Sequence, residues 1–162
     1  MTEAIDTLLQ SLNPAAPLRG DNDPGHATEG TQTALTAEAC VDLGRAARCG
    51  FPEVVYGSGK TPDAIVGVFE ALSAAGQACL ATRVNDEQAA AVLKHFPAVI
   101  FNQTARTLRI SGSATNLRGH VAVVSAGTSD LPVAEEATET ARWMNCTVDL
   151  MVDIGVAGPQ RL

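Results

Sequence analysis

The chain has 162 residues, of which 46% are hydrophobic and only 4% aromatic, and its formal net charge is −7. This length accommodates one domain or two small ones, and a core made mainly of Ala, Val, Leu and Ile is typical of parallel sheets covered by helices. The negative charge argues against nucleic acid as the main partner, because phosphate neutralisation needs clustered Lys and Arg. It leaves room for a phosphorylated small molecule held by backbone N–H groups at a helix N-terminus.

The cysteines are Cys40, Cys49, Cys79 and Cys146, and they form no Cys-x-x-Cys pair. No histidines are spaced to join them as ligands, so the sequence predicts no metal site and no tightly bound cofactor. We see no signal peptide, and no apolar run approaches the ~20 residues of a membrane span. We therefore expect a cytoplasmic protein with free thiols that does not contact a membrane.

Helix and strand signals alternate along residues 36–110, after an N-terminal segment of different character. Residues 1–35 read as a short amphipathic helix over 3–12 followed by a flexible linker. Capping and periodicity then predict helices over 36–48, 61–76 and 85–95, with strands over 53–56, 77–82, 98–101 and 106–110. Thr61 and Pro62 begin the second helix, and Asn85 and Gln88 have capping-box spacing in the third. Residues 36–112 therefore form a small N-terminal α/β domain.

A second strand–helix–strand unit follows a turn-rich joint. The apolar run from His120 to Val124 is typical of a strand buried on both faces. A helix over 131–143 and a strand over 146–152 come next, with a right-handed crossover expected. Glu135, Glu136 and Glu139 read as the solvated face of this helix. Because one such unit cannot bury both faces of a parallel sheet, we interpret residues 118–162 as part of a larger domain.

The loop between the first strand and the helix of this unit is the main candidate binding site. Its small residues let the backbone approach a ligand, and free N–H groups at the helix start attract an anion. Candidate ligand-binding residues are Ser125, Gly127, Thr128, Ser129 and Asp130. Asp130 could cap the helix or accept from a sugar hydroxyl. The alternative is an ordinary tight strand-to-helix turn.

The segment after the second strand is the next candidate. It contributes Asp153, Gly155, Ala157, Gly158 and Arg161. Ligands of open α/β sheets bind at the carboxyl ends of the strands, so both loops are expected to line one cleft. Arg161 would offer a fork of donors to phosphate or carboxylate. The alternative is a glycine-rich turn with a solvated Arg.

The stretch Gly57-Ser58-Gly59-Lys60-Thr61 looks like the end of a P-loop. Val54 stands where the first glycine of that motif belongs, and Pro62 lacks an N–H, which argues against a nucleoside triphosphate site here. Lys60 remains a weaker candidate for contacting an anion, as does Arg45.

Several separate motifs then occur in order. Residues 45–62 contain an Arg before Gly-Phe-Pro-Glu-Val and a Gly-Lys-Thr-Pro turn, and the other stretches are Ala81-Thr82-Arg83, 123–137 and 153–158. In these stretches the chain resembles the LarB family of nickel-pincer cofactor biosynthesis. The C-terminal domain of that family is similar to aminoimidazole ribonucleotide carboxylase of the PurE class, which implies a flavodoxin-like parallel three-layer fold.

This resemblance implies an enzyme that takes nicotinic acid adenine dinucleotide and CO2 or bicarbonate. Such enzymes carboxylate the pyridinium ring and hydrolyse the phosphoanhydride, releasing AMP and pyridinium-3,5-biscarboxylic acid mononucleotide. The resemblance matches Ser125 to Asp130 to a phosphate- and ribose-binding loop and Arg161 to the Arg of a Ser-Ala-His-Arg loop. It also implies a homo-oligomer, an octamer in the complete protein, and Mg2+ is a possible aid near a pyrophosphate.

The chain also departs from the family. Gln160 stands where the family usually has a His, and Gln cannot move a proton; Pro159 beside it is unusual. Leu43-Gly44-Arg45 stands where the family shows His-His-Arg. The family's nucleophilic Cys and catalytic carboxylate are expected beyond Leu162, so the chain reads as C-terminally truncated and none of its own cysteines is assigned. The alternatives are a non-catalytic nucleotide-binding or assembly fragment and a purine-pathway carboxylase.

Overall fold

A computed structural model of the chain describes residues 32–112 and 117–155. The predicted N-terminal helix and linker lie outside the described residues, apart from the last few positions of that segment. The described residues all belong to one compact unit, Thr31–Leu162. The elements are β1 (Thr33–Leu35), β2 (Cys40–Asp42), α1 (Arg45–Cys49), β3 (Val54–Tyr56), α2 (Pro62–Ala74), β4 (Cys79–Thr82), α3 (Asp86–His95), β5 (Ile100–Asn102), β6 (Thr107–Ile110), β7 (Gly119–Val124), α4 (Leu131–Trp143) and β8 (Cys146–Met151).

Most of the core lies around a four-stranded sheet with the order β3-β4-β6-β5. β3 and β4 are parallel, whereas β6 runs antiparallel to both β4 and β5. α2 buries Ile65, Phe69 and Leu72 completely in this core. β7 and β8 form a separate two-stranded parallel sheet, in register from Gly119 opposite Cys146 to Val124 opposite Met151. The predicted mixed α/β class with strand–helix units is confirmed.

Two helix starts form as the sequence predicts. The Thr61 hydroxyl accepts from the Ala64 N–H at 3.0 Å, and Pro62 occupies the first turn of α2. In α3 the Asn85 side chain accepts from the Gln88 N–H, and the Gln88 side chain accepts from the Asn85 N–H, both at 2.8 Å. These reciprocal bonds satisfy donors that a helix N-terminus otherwise leaves without a partner.

The predicted helix over 36–48 is wrong. Thr33–Leu35 and Cys40–Asp42 pair as an antiparallel hairpin, and only Arg45–Cys49 is helical. Thr36 does accept from the N–H three residues later, at 2.9 Å from Ala39, but it also donates to the Ala39 carbonyl at 3.1 Å. The same threonine–backbone bond serves helix caps and turns, so the cap signature here belongs to the hairpin loop.

β7 is not buried on both faces, which corrects a second prediction. Val121 is 37% exposed and Val124 is 55% exposed. α4 contacts both strands of this sheet. On β8, exposed Thr147, Asp149 and Met151 alternate with half-buried residues, as expected when one face is covered. Within the described ranges no element lies over the opposite face.

The three glutamates of α4 do not form a solvated face, which corrects a third prediction. Glu139 is only 4% exposed. Its carboxylate accepts from Arg109 Nε of β6 at 2.5 Å and from Arg142 Nη1 at 3.0 Å. Glu135 accepts from Asn102 Nδ2 at 2.9 Å, and Glu136 pairs with Arg83 Nε at 2.8 Å. One face of α4 therefore packs against the four-stranded sheet, where it contacts β6 and β4.

An aromatic contact of Trp143 extends this packing. Its ring lies 6.1 Å from that of Phe51, and the guanidinium of Arg118 lies 4.7 Å above the Phe51 ring. Trp143 is 3% exposed. Arg118 also donates to the Gly50 carbonyl at 3.4 Å. The Gly-Phe-Pro stretch thus contacts both the helix and the segment that leads into β7.

In the part of the chain that the structure describes, every helix is too short or too polar to cross a membrane.

Glu139→Ala is expected to destabilise the fold by about 3 kcal/mol, because removing one partner of a buried pair leaves the other charge uncompensated. Urea denaturation followed by tryptophan fluorescence measures this directly. The matched control is Glu70→Ala on the exposed side of α2, expected to change stability by less than about 0.5 kcal/mol. Equal effects of the two substitutions would contradict the account.

The Glu139 contacts also predict how stability depends on pH. Burial alone would raise the pKa of Glu139, but the hydrogen bonds and charges of Arg109 and Arg142 outweigh burial and lower that pKa. The pair therefore contributes fully above the ordinary glutamate pKa of about 4.3 and loses its contribution as the pH falls through the lowered folded value. Unfolding free energies measured between pH ~6 and ~3 should fall less steeply for Glu139→Gln than for the native chain. Parallel curves would refute this.

Candidate functional site

The loop from Ser125 to Asp130 begins at the carboxyl end of β7 and ends in a short 3-10 turn, Thr128–Asp130, that continues into α4. The N–H groups of Gly127, Thr128 and Ser129 donate to no described residue. They precede a 13-residue helix, so the positive end of its dipole adds to their attraction for an anion. The backbone of this loop is therefore arranged to accept a phosphate or carboxylate.

The predicted second loop lies directly against the first. The Ile154 N–H donates to the Ser125 carbonyl at 3.3 Å, and the Gly155 N–H donates to the Ala126 carbonyl at 3.0 Å. A Cβ at residue 155 would lie 2.8 Å from the Ala126 carbonyl oxygen. Only glycine fits there without a backbone shift, because no Cβ approaches a carbonyl that closely. The carboxyl ends of β7 and β8 thus meet at one edge, as expected for parallel strands.

Side chains capable of binding a ligand stand beside the free amides. Thr128, Ser129 and Asp130 are all exposed. Asp130 makes no side-chain cap of α4, although the sequence allowed that role, so its carboxylate remains available as an acceptor. A Cβ built on Gly127 would lie 3.9 Å from Ser129 Oγ and 4.0 Å from Asp130 Oδ2. Gly127 therefore leaves open the space between these oxygens.

The remaining predicted site residues have different positions. Ser125 is 5% exposed, and its hydroxyl donates to the Gly127 carbonyl at 3.1 Å, so it shapes the loop from within. Asp153 is exposed, with a left-handed backbone at φ 59°. Ala157, Gly158 and Arg161 lie outside the described residues. Their roles in binding stay predictions.

Lys60 and Arg45 make no hydrogen bond to this loop. The turn around Lys60 presents carbonyls rather than amides, because Gln88 Nε2 donates to Gly57 O at 2.8 Å and to Lys60 O at 2.7 Å. The Gly57 N–H is itself bonded to the Thr82 carbonyl at 2.7 Å. This arrangement is unlike a phosphate-binding P-loop, whose amides face the ligand. Arg45 begins the short exposed helix α1.

No described cysteine lies in the candidate site. Cys146 starts β8, at the end of the strand opposite the loops. Cys79 is fully buried in β4, and burial raises the pKa of its thiol despite a hydrogen bond with Ser73. Cys40 and Cys49 are exposed thiols of the N-terminal half. Within the described ranges no three His, Cys, Asp or Glu residues are grouped to hold a metal ion.

Sequence reasoning missed the residues that join α4 to the sheet, Arg83 and Arg109 among them. The available signal was helical spacing: Glu135, Glu139 and the aromatic Trp143 recur at intervals of four on one face of α4. The prediction of a solvated face overlooked that Glu135 and Glu139 share a helix face with Trp143.

Comparison with known proteins places about half of the chain in a defined class. Residues 33–112, which form β1 to β6 and α1 to α3, match the LarB/PurE-like N-terminal domain. An uncharacterized protein of Methanocaldococcus jannaschii is 37% identical over 130 residues, which cover 75% of this chain and 50% of that relative. The chain therefore spans about half the length of this curated relative.

The class is that of proteins with a LarB/PurE-like N-terminal domain. Within that class, the chain belongs to the LarB family.

Two glycine substitutions test whether the two loops pack as described. Gly155→Ala forces a Cβ against the Ala126 carbonyl and should destabilise the fold by about 1–3 kcal/mol. Gly127→Ala is the matched control: its backbone is extended, at φ −135° and ψ 165°, and its Cβ has room. Thermal melts should therefore show a lower Tm for Gly155→Ala alone. A melting temperature that falls equally in both variants would contradict the described packing of the two loops.

Proposed function

We propose that the protein acts in nickel-pincer cofactor biosynthesis as a LarB-type carboxylase and hydrolase of nicotinic acid adenine dinucleotide. In this reaction CO2 replaces a proton on the pyridinium ring. Water then cleaves the phosphoanhydride to give AMP and pyridinium-3,5-biscarboxylic acid mononucleotide. The loop at 125–130, called the bend from here on, would bind a phosphate and ribose of the dinucleotide, with the segment after β8 beside it.

The observation that carries this proposal is the set of amides at Gly127, Thr128 and Ser129, before α4, that donate to no described residue. A phosphate needs several donors and no side-chain bulk, which this bend supplies. The Asp130 carboxylate suits a ribose hydroxyl rather than a phosphate, because it accepts hydrogen bonds and carries negative charge. Membership of the LarB family supports this substrate class.

A second candidate is a nucleotide-binding role without turnover. It is favoured by the positions of the cysteines: carboxylation of a pyridinium through covalent catalysis needs an activated thiolate, and no described cysteine lies in the bend. Both candidates share the same ligand. They differ only in whether products form.

The direct test incubates the chain with nicotinic acid adenine dinucleotide and bicarbonate, and follows AMP and the carboxylated mononucleotide by mass spectrometry. LarB-type activity predicts both products, and Gly127→Ala should abolish them, because its Cβ fills the space between the Ser129 and Asp130 oxygens. Binding without products in the native chain would favour the second candidate. Conversion of aminoimidazole ribonucleotide instead would point to a purine-pathway carboxylase.

A further inference from the structure

A shallow groove runs along α4 away from the bend. It is lined by Arg83, Val133, Glu136, Ala137, Thr140 and Met144. The helical members of this set recur at intervals of three and four, so they share one face of α4. Val133 lies four residues after Ser129 in the chain, so the groove begins about one helical turn beyond the bend. Along the helix, Glu136 lies ~10 Å from Ser129.

Arg83 contributes the one cationic side chain among the described residues that line this groove. It follows β4, at the carboxyl edge of the four-stranded sheet, and its Nε pairs with Glu136 at 2.8 Å. The side chain is 47% exposed, and its terminal guanidinium nitrogens donate no hydrogen bond to a described residue. The two terminal NH2 groups of the guanidinium, with four N–H donors, therefore remain for an anion or a ribose hydroxyl.

The backbone of Arg83 supports a role beyond that ion pair. Its φ is 56°, in the left-handed region that non-glycine residues rarely occupy. Arg106 holds the conformation: its guanidinium donates to Val84 O at 2.9 Å and to Arg83 O at 3.3 Å, and its carbonyl accepts from the Val84 N–H at 3.0 Å. A half-exposed ion pair contributes less than a left-handed arginine costs. Retained strain of this kind is typical of functional positions.

The apolar wall of the groove suits a nucleobase. Val133 is 61% exposed although it is aliphatic, and Ala137 is also exposed beside it. A planar base laid over Val133 and Ala137 would cover this surface, with its phosphate between the bend and Arg83.

We propose that this groove binds the second nucleoside monophosphate half of a dinucleotide, with Arg83 as the ligand of its phosphate or ribose. The inference rests on the proposed function, since the first half must occupy the bend. Arg83 then acts as a specificity residue that distinguishes a dinucleotide from a mononucleotide, and the N-terminal α/β domain contributes directly to the site.

Isothermal titration of the full chain tests this with two probes, nicotinic acid adenine dinucleotide and nicotinic acid mononucleotide. Arg83→Ala should weaken dinucleotide binding by ~10-fold or more and leave mononucleotide binding unchanged. Val133→Asp, a surface change, should have the same selective effect. Arg48→Ala is the matched control, because it removes another half-exposed Arg that pairs with a carboxylate, that of Asp42, outside the groove and the bend, and it should alter neither affinity.

The outcomes separate the two proposals. If both probes bind and Arg83→Ala weakens neither, the groove assignment is wrong and the proposed function stands. A native chain that binds neither probe removes both proposals. Glu136→Ala breaks the same ion pair but keeps the guanidinium, and it should bind the dinucleotide at least as tightly as the native chain. A loss equal to that of Arg83→Ala would show that the effect arises from the ion pair, which overturns the inference.

Discussion

The carboxylate of Glu139, held between the guanidinium groups of Arg109 and Arg142, fixes α4 against the four-stranded sheet. A charge that is 4% exposed is stable only when its hydrogen-bonding capacity is filled, and here each oxygen has an arginine donor. The contact is directional, because a bond at 2.5 Å to Arg109 specifies which side of the helix faces β6. The bend at the start of α4 takes its position from this contact.

In the stretch 45–62, the longest through which the chain resembles its family, the residues serve mainly this architecture. Gly50 ends α1 with a left-handed backbone at φ 81°, and Phe51 packs between Trp143 and Arg118. Glu53 accepts from the Asp42 N–H at 2.6 Å, tying β2 to the segment before β3. Gly57 leaves no room for a Cβ, which would lie 2.9 Å from Val84 and 3.0 Å from the Thr82 carbonyl. These residues of the 45–62 stretch therefore form a packing signature.

Local signals predicted the parts of the fold that local interactions build. The caps at Thr61 and Asn85 depend on bonds within four residues, and both helices begin where the sequence indicates. Thr36 shows the limit of this reasoning, since the same local bond closes a hairpin whose strands are fixed by pairing of Val41 with Ala34. The contacts of Glu139 were not predictable from spacing alone, because Arg109 lies 30 residues away in the chain.

In the candidate site, too, the features set by local signals were predictable and those set by long-range contacts were not. Strand ends and small residues located the two loops, and their adjacency follows from parallel pairing of β7 with β8. The contribution of Arg83 depends on a long-range approach of β4 to α4, and sequence periodicity carries no information about it. Whether a face of β7 is covered likewise depends on which elements pack on its sheet. An apolar run predicts burial of the strand but not the element that would cover it.

The proposed function depends most on anion binding by the amides of the bend. Backbone amide resonances of a 15N-labelled chain, titrated with nicotinic acid adenine dinucleotide, report on these groups one by one. We expect the Gly127, Thr128 and Ser129 resonances to shift progressively and saturate, while those of α2 remain in place. Resonances of the bend that do not move at saturating dinucleotide would contradict the central claim.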